Sequence, residues 1–106
     1  MIVVNRFRVS ETEQQAFRAD LERGRETLAT QQGYVAGRIG RNVDDPELWV
    51  LTTEWQGPGA YRRALSAYDV KLTAVATLGR AIDEPGAYEA VEPGEPLNVP
   101  MTRSLG

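Results

Sequence analysis

The 106-residue chain contains neither cysteine nor histidine. Without cysteine there is no disulfide, no thiolate nucleophile and no thiolate metal site. Without histidine the commonest general base, the commonest haem-iron ligand and the usual base of a serine triad are lost together. Any metal site would have to be built from carboxylates alone, and the acidic residues follow no ligand spacing. Neither a metal nor a cofactor is therefore expected. Basic character is also short: the net charge is −3 and no basic run occurs, so neither nucleic acid nor an anionic membrane is an expected partner. No apolar run approaches the roughly 20 residues of a membrane span. The opening MIVVNRF lacks the basic region and long apolar stretch of a signal peptide, so a cytoplasmic location is expected.

What remains is a soluble globular composition, 42% hydrophobic and 25% charged, of a length that supports one domain with a modest core. Residues 1–9 alternate, with Val3, Asn5, Phe7 and Val9 on one face and Ile2 and Val4 on the other, which predicts a strand. Ser10 and Glu13 form the pattern of a capping box, and Phe17, Leu21, Gly24 and Leu28 then recur at helical spacing up to Gly33. Residues 34–42 predict a second strand, thinned by Gly37 and Gly40. Asn42, Asp44, Asp45 and Pro46 follow as turn chemistry. Residues 48–55 are the strongest strand, rich in β-branched and aromatic side chains, and Gly57-Pro58-Gly59 breaks it. A short helix over 60–67 is expected next. Asp69 then caps a second helical segment carrying Leu72, Val75, Leu78 and Ile82. A last strand covers 87–91. Residues 1–91 thus form the domain, and residues 92–106 a tail with Pro93, Pro96 and Pro100.

The order β-α-β-β-α-β predicts an α+β ferredoxin-like domain with an antiparallel sheet and its helices on one face. The third strand, however, is apolar on both faces: Trp49, Leu51 and Trp55 on one, Leu48 and Val50 on the other. Two helices cover one side only, so a second copy packed sheet against sheet is the expected homodimer.

The stretches VVNRFRV, GYVAGRIGR and DDPELWVLTTEWQGPGAYRRAL resemble the antibiotic biosynthesis monooxygenase (ABM) superfamily of dimeric α/β barrels, over residues 1 to about 91. Two branches of that family bear on this chain. Haem-degrading members place an asparagine in the first strand, a tryptophan at the end of the third and a histidine ligand in the later helix. Asn5 and Trp55 match the first two positions, but the ligand position falls near Val75, which cannot bind iron, and Tyr68 is out of register for that role. Haem degradation is not expected. The other branch oxidises electron-rich aromatics with dioxygen and no cofactor. That resemblance implies Asn5 and Trp55 as the catalytic pair, orienting the substrate and stabilising its oxyanion. The substrate-binding set expected beside them is Tyr61, Tyr68, Arg38 and Val75, in which Arg38 would lower the pKa of a bound phenol. Tyr61, Tyr68 and Asp69 are the helix-side groups available for proton transfer. The implied partners are a second copy, a small aromatic molecule and molecular oxygen.

Plainer roles exist for each residue. Asn5 lies among apolar neighbours, where an unpaired amide costs about 1–3 kcal/mol, and bonding to backbone would make it structural. Trp55 and Trp49 are large apolar surfaces before they are stacking platforms. Tyr61 and Tyr68, seven residues apart, share a face if their helix is continuous. Arg6, Arg8 and Arg38 suit solvated strand faces or ion pairs with Glu54 and Glu89. Two further functions are open. One is a non-catalytic module that binds an aromatic metabolite. The other is a dimerisation domain, which predicts Asn5 bonded to backbone and no cavity beside Trp55.

Overall fold

The computed structural model describes residues 1–98, so Pro100 and the end of the expected tail lie outside the described residues. The alternation at the start of the chain becomes strand β1 (Ile2–Arg8), with Val3 and Phe7 buried on one side and Ile2 and Val4 half-buried on the other. It runs antiparallel to β3 (Leu48–Trp55), with Asn5 opposite Leu51 and Phe7 opposite Trp49. Strand β2 (Tyr34–Arg41) pairs antiparallel with the other edge of β3, irregularly between Tyr34 and Ala36. Strand β4 (Ala87–Tyr88) pairs with β1, giving the sheet order β2-β3-β1-β4. It is shorter than the expected 87–91. Ile2 faces Tyr88, so the next pair falls at Met1, where β1 has already ended. The result is a ferredoxin-like α+β fold with an antiparallel sheet, as the sequence predicts.

The first helix differs in how it starts. Ser10 caps nothing with its side chain: its hydroxyl meets that of Thr12 at 3.1 Å, and its carbonyl accepts the Glu13 N–H at 3.0 Å. The capping box is thus replaced by a 3₁₀ turn (Glu11–Glu13), and α1 (Gln14–Ala29) follows with Phe17, Leu21, Gly24 and Leu28 buried on one face. The helix ends at Ala29, and a turn carries the chain to Gly33, whose φ of 90° disfavours any side chain. A Cβ there would also overlap the Cβ of Ala60. Gly33→Ala should therefore destabilise the fold by about 1–3 kcal/mol. An unchanged urea midpoint would show that this close approach is not maintained in solution.

The later helices do not form one continuous segment. Gly57, in extended conformation, leads into α2 (Pro58–Ser66), with proline in its first turn, where its missing N–H is harmless. Ala67, at ψ 141°, ends that helix and starts α3 (Tyr68–Thr73). Asp69 is therefore inside the first turn of α3 rather than its cap. Ala74 makes a second break, at φ −121°, before the single turn α4 (Val75–Leu78). Thr73 precedes this break, and its hydroxyl bonds back to the Asp69 carbonyl at 2.7 Å, a geometry that bends helices. Val70 and Ala74 are fully buried, and α1 passes Ala74 at Gly24, where a Cβ would make an ordinary contact of 3.5 Å with that of Ala74. Leu72 is exposed and Val75 partly so, against the expected apolar stripe.

The helices cover the sheet face that carries Val3, Phe7, Trp49, Leu51 and Trp55, where Phe17 packs tilted on Phe7 and edge-on to Trp49, with centroids 5.1 and 5.9 Å apart. The opposite face presents Ile2, Val4, Leu48 and Val50, all half-buried. Its arginines pair differently from the expected partners Glu54 and Glu89. Arg6 grips Glu84 through two bonds of 2.8 and 2.6 Å, and Arg8 reaches Asp45 at 3.0 Å. Among the described residues no helix is long and apolar enough to cross a membrane, and no group of three acidic residues could hold a metal ion.

Candidate functional site

Between the helices and the middle of β1 lies a cavity of about 330 Å³ lined by Asn5, Tyr61, Leu65, Val75, Leu78 and Gly79. Three elements build it. Asn5 is the single polar position on the helix side of β1, between buried Val3 and Phe7. Tyr61 and Leu65 are four residues apart on α2 and so share its cavity-facing side. Val75 and Leu78, three apart on α4, close the wall, and Gly79 leaves it without a side chain.

The Asn5 carboxamide bonds no backbone group among the described residues, and it lines the cavity together with the Tyr61 ring. Burial raises the Tyr61 pKa above the ordinary tyrosine value, and a hydrogen bond from Asn5 to the phenolate offsets only part of that rise. Tyr61 is consequently a neutral phenol near neutral pH. The shift also sets a sign for stability. The folded chain holds this proton more tightly than the unfolded chain. Stability is therefore unaffected by this group below the ordinary tyrosine range and falls as pH rises through it. Urea midpoints between about pH 9 and pH 11 should drop further in the wild type than in Tyr61→Phe. Equal drops would show that the phenol is not held protonated.

Trp55 sits one layer behind. It is 2% exposed, its indole N–H donates to Thr53 Oγ1 at 2.9 Å, and its ring centroid lies 5.4 Å from those of both Tyr34 and Tyr61. With its one polar group already paired, Trp55 backs Tyr61 and does not line the cavity. The structure therefore brings Asn5, Tyr61 and Val75 together and leaves the other expected residues apart. Tyr68 is 74% exposed, because the break at Ala67 rotates α3 away from the face that Tyr61 shares. Asp69 is exposed beside it. Arg38 faces the opposite side of the sheet, in a 250 Å³ depression with Ile2, Ala36, Thr52 and Glu54. Leu65, Leu78 and Gly79 are additional lining residues. Leu65 was legible as the helical neighbour of Tyr61, whereas Gly79 carries no sequence signal.

A second cavity of about 390 Å³ lies along the C-terminal segment, beside Met1, Gln56, Tyr88 and Glu89. Two of its polar groups are already engaged: the Met1 ammonium donates to the Trp55 carbonyl at 2.9 Å, and Glu89 accepts from the Asn98 N–H at 3.0 Å. The Asn5 cavity instead offers a carboxamide and a phenol, side by side, within apolar walls and without a charged side chain. That arrangement suits a flat uncharged ligand with a polar edge.

Fold and cavity together define a ferredoxin-like domain with a pocket between its sheet and helices. The sequence model of the antibiotic biosynthesis monooxygenase family matches residues 1–86, and the chain belongs to that family. Among solved structures it is similar to a variant of SnoaB, a cofactor-independent oxygenase from Streptomyces nogalater. The match has 27% identity and a TM-score of 0.73, and covers 86% of this chain and 92% of that one. Rv0793 from Mycobacterium tuberculosis matches at 16% identity and TM-score 0.68, over 89% and 97% of the two chains. A conserved protein from Methanosarcina mazei matches at 17% and 0.67, over 81% and 84%. These last two likenesses concern the fold alone. No curated protein matches the sequence.

Proposed function

We propose that this chain is a cofactor-independent monooxygenase for a small, electron-rich aromatic or quinol-like compound and works as a homodimer. The observation that carries the reading is the Asn5 carboxamide, unpaired with backbone and set beside the neutral Tyr61 phenol in an otherwise apolar cavity. The similarity to SnoaB supports the reaction class. Dioxygen reacts slowly with closed-shell molecules, so the substrate must be held as an electron-rich enolate or phenolate. Asn5 would stabilise that oxyanion through its N–H, and the Tyr61 hydroxyl would donate to the same edge. Leu65, Val75 and Leu78 would pack against the apolar faces of the ligand. Trp55 would hold the Tyr61 ring in place. In such a reaction an activated CH₂ becomes a carbonyl: one oxygen atom enters the product, the other leaves as water, and the substrate supplies all four electrons. The cavity lining contains no carboxylate, so the substrate must itself be acidic enough to ionise.

That missing base also favours a second reading, a binding module that holds an aromatic without consuming it. Tryptophan fluorescence quenching with anthrone, 1,4-naphthohydroquinone and haem, run beside an oxygen electrode, separates the two. Saturable quenching by anthrone with oxygen uptake supports the oxygenase, and binding of the hydroquinone alone reports only on the pocket. Quenching without uptake moves the chain to the binding class, and no quenching removes both readings.

The dimer is expected through the open sheet face, where a second copy would cover Val4, Leu48 and Val50. Sedimentation should give about twice the 11.7 kDa chain mass, and Val50→Glu should halve it. A wild-type monomer would overturn this part of the proposal.

A further inference from the structure

Asn5 is flanked by a short segment, residues 82–86, that leads into β4 along the same side of β1. The Ile82 N–H donates to the Arg6 carbonyl at 2.7 Å, and the Val4 N–H donates to the Gly86 carbonyl at 2.7 Å. These two bonds bracket Asn5. Between them Glu84 takes the Arg6 guanidinium in a two-bond fork of 2.8 and 2.6 Å. Gly86 closes the bracket at very short range. A Cβ on it would stand 2.8 Å from the Val4 carbonyl oxygen and 3.6 Å from Asn5 Oδ1. The first distance is too short for any Cβ to tolerate against backbone, and the second shows which way the carboxamide points. Its oxygen is turned toward Gly86. The carboxamide is planar, so its nitrogen lies on the side away from Gly86, and Asn5 lines the cavity with Tyr61. Oxygen outward and nitrogen inward is the orientation that an oxyanion in the cavity requires.

We propose that Gly86 is the positioning residue for Asn5, and that the 82–86 segment braces β1 so that the carboxamide nitrogen faces the cavity. This deepens the oxygenase reading and rests on it only for its catalytic consequence. The orientation itself can be tested without any substrate. Nothing in the sequence marks Gly86, which stands in a Pro-Gly turn pair where a glycine passes as ordinary turn chemistry.

The test is the titration of Tyr61 in the full chain, followed by NMR with tyrosine labelled at the ring carbon bearing the hydroxyl. The variants are Asn5→Ala, Gly86→Ala and the charge-neutral pair Arg6→Gln/Glu84→Gln. Asn5→Ala should raise the Tyr61 midpoint, because the phenolate loses its donor. Gly86→Ala should raise it in the same direction, because the added methyl forces the Val4 carbonyl and the adjoining Asn5 to move. The paired substitution loosens the brace at an ion pair whose side chains are 42% and 29% exposed, so the fold tolerates it. It should give a smaller rise. A Tyr61 midpoint that stays at the wild-type value in Gly86→Ala while Asn5→Ala moves it overturns the proposal. So does an Asn5→Ala variant that leaves Tyr61 unmoved. If Gly86→Ala does not fold, the paired variant decides by the same criterion. A residue that served stability alone would lower the melting temperature without touching the Tyr61 midpoint. Oxygen uptake is read separately: its absence in the wild type would sink the oxygenase reading while leaving this titration to report on Asn5.

Discussion

Asn5→Ala should lower oxygen uptake with an anthrone substrate by about 100-fold or more, while moving the urea midpoint little. The rate effect follows from what the carboxamide does. A preorganised N–H aimed at a developing oxyanion is worth about 3–4 kcal/mol of transition-state stabilisation, or roughly a factor of 100 to 1,000 in kcat. The stability effect is small for an independent reason. Asn5 bonds no backbone group among the described residues, and both it and Tyr61 are only half-buried, so its removal strands no fully buried polar group. A structural asparagine would show the reverse pattern, losing about 1–3 kcal/mol of stability with activity falling only as the fold fails. Measuring both quantities on one preparation distinguishes the two. Unchanged turnover in Asn5→Ala would remove this residue from the mechanism.

Trp55 carries the second large effect, and it is of the opposite kind. Trp55→Ala should destabilise the chain by about 3–5 kcal/mol. That is a large fraction of the roughly 5–15 kcal/mol available to a small domain. The indole is packed between Tyr34 and Tyr61 and donates to a fully buried threonine hydroxyl, so its loss leaves a cavity and an unpaired Thr53 together. Trp55→Phe is the informative companion. It keeps a ring behind Tyr61 but removes the N–H, and should cost about 1–3 kcal/mol for the abandoned Thr53 oxygen. Ligand binding should survive, because the N–H points at Thr53. Loss of turnover in Trp55→Phe at unchanged stability would mean instead that the indole acts on the ligand directly.

The two residues were legible to different depths. Both stand at positions that the family resemblance picks out, and both are on the helix side of the sheet as strand alternation requires. Alternation cannot say which side chain reaches the cavity. That depends on Tyr61, which comes down from α2 between Trp55 and Asn5. Tyr68 shows the same limit from the other direction. A spacing of seven residues puts two tyrosines on one helical face only while the helix lasts, and a single residue at ψ 141°, Ala67, ends it. Arg38 was always on the opposite face by strand parity, paired across from Thr52. Its neighbours in sequence gave no warning that the cavity would lie on the other side.

By itself the sequence determined the order of the strands, the buried faces of β1, α1 and β3 and the family to which the chain belongs. These follow from periodicities of two and 3.6 residues and from short-range turn chemistry, all of which act between near neighbours. It also settled the lack of histidine and cysteine, and with it the chemistry that a site here can use. The tertiary structure alone decided the cavity's lining, the burial of Trp55 behind Tyr61 and the bracing of Asn5 by a segment 77 to 81 residues further along the chain. Each of these is a meeting of distant segments. Their distances are set by how α2, α4 and the 82–86 segment settle on one sheet, and no local pattern encodes that packing.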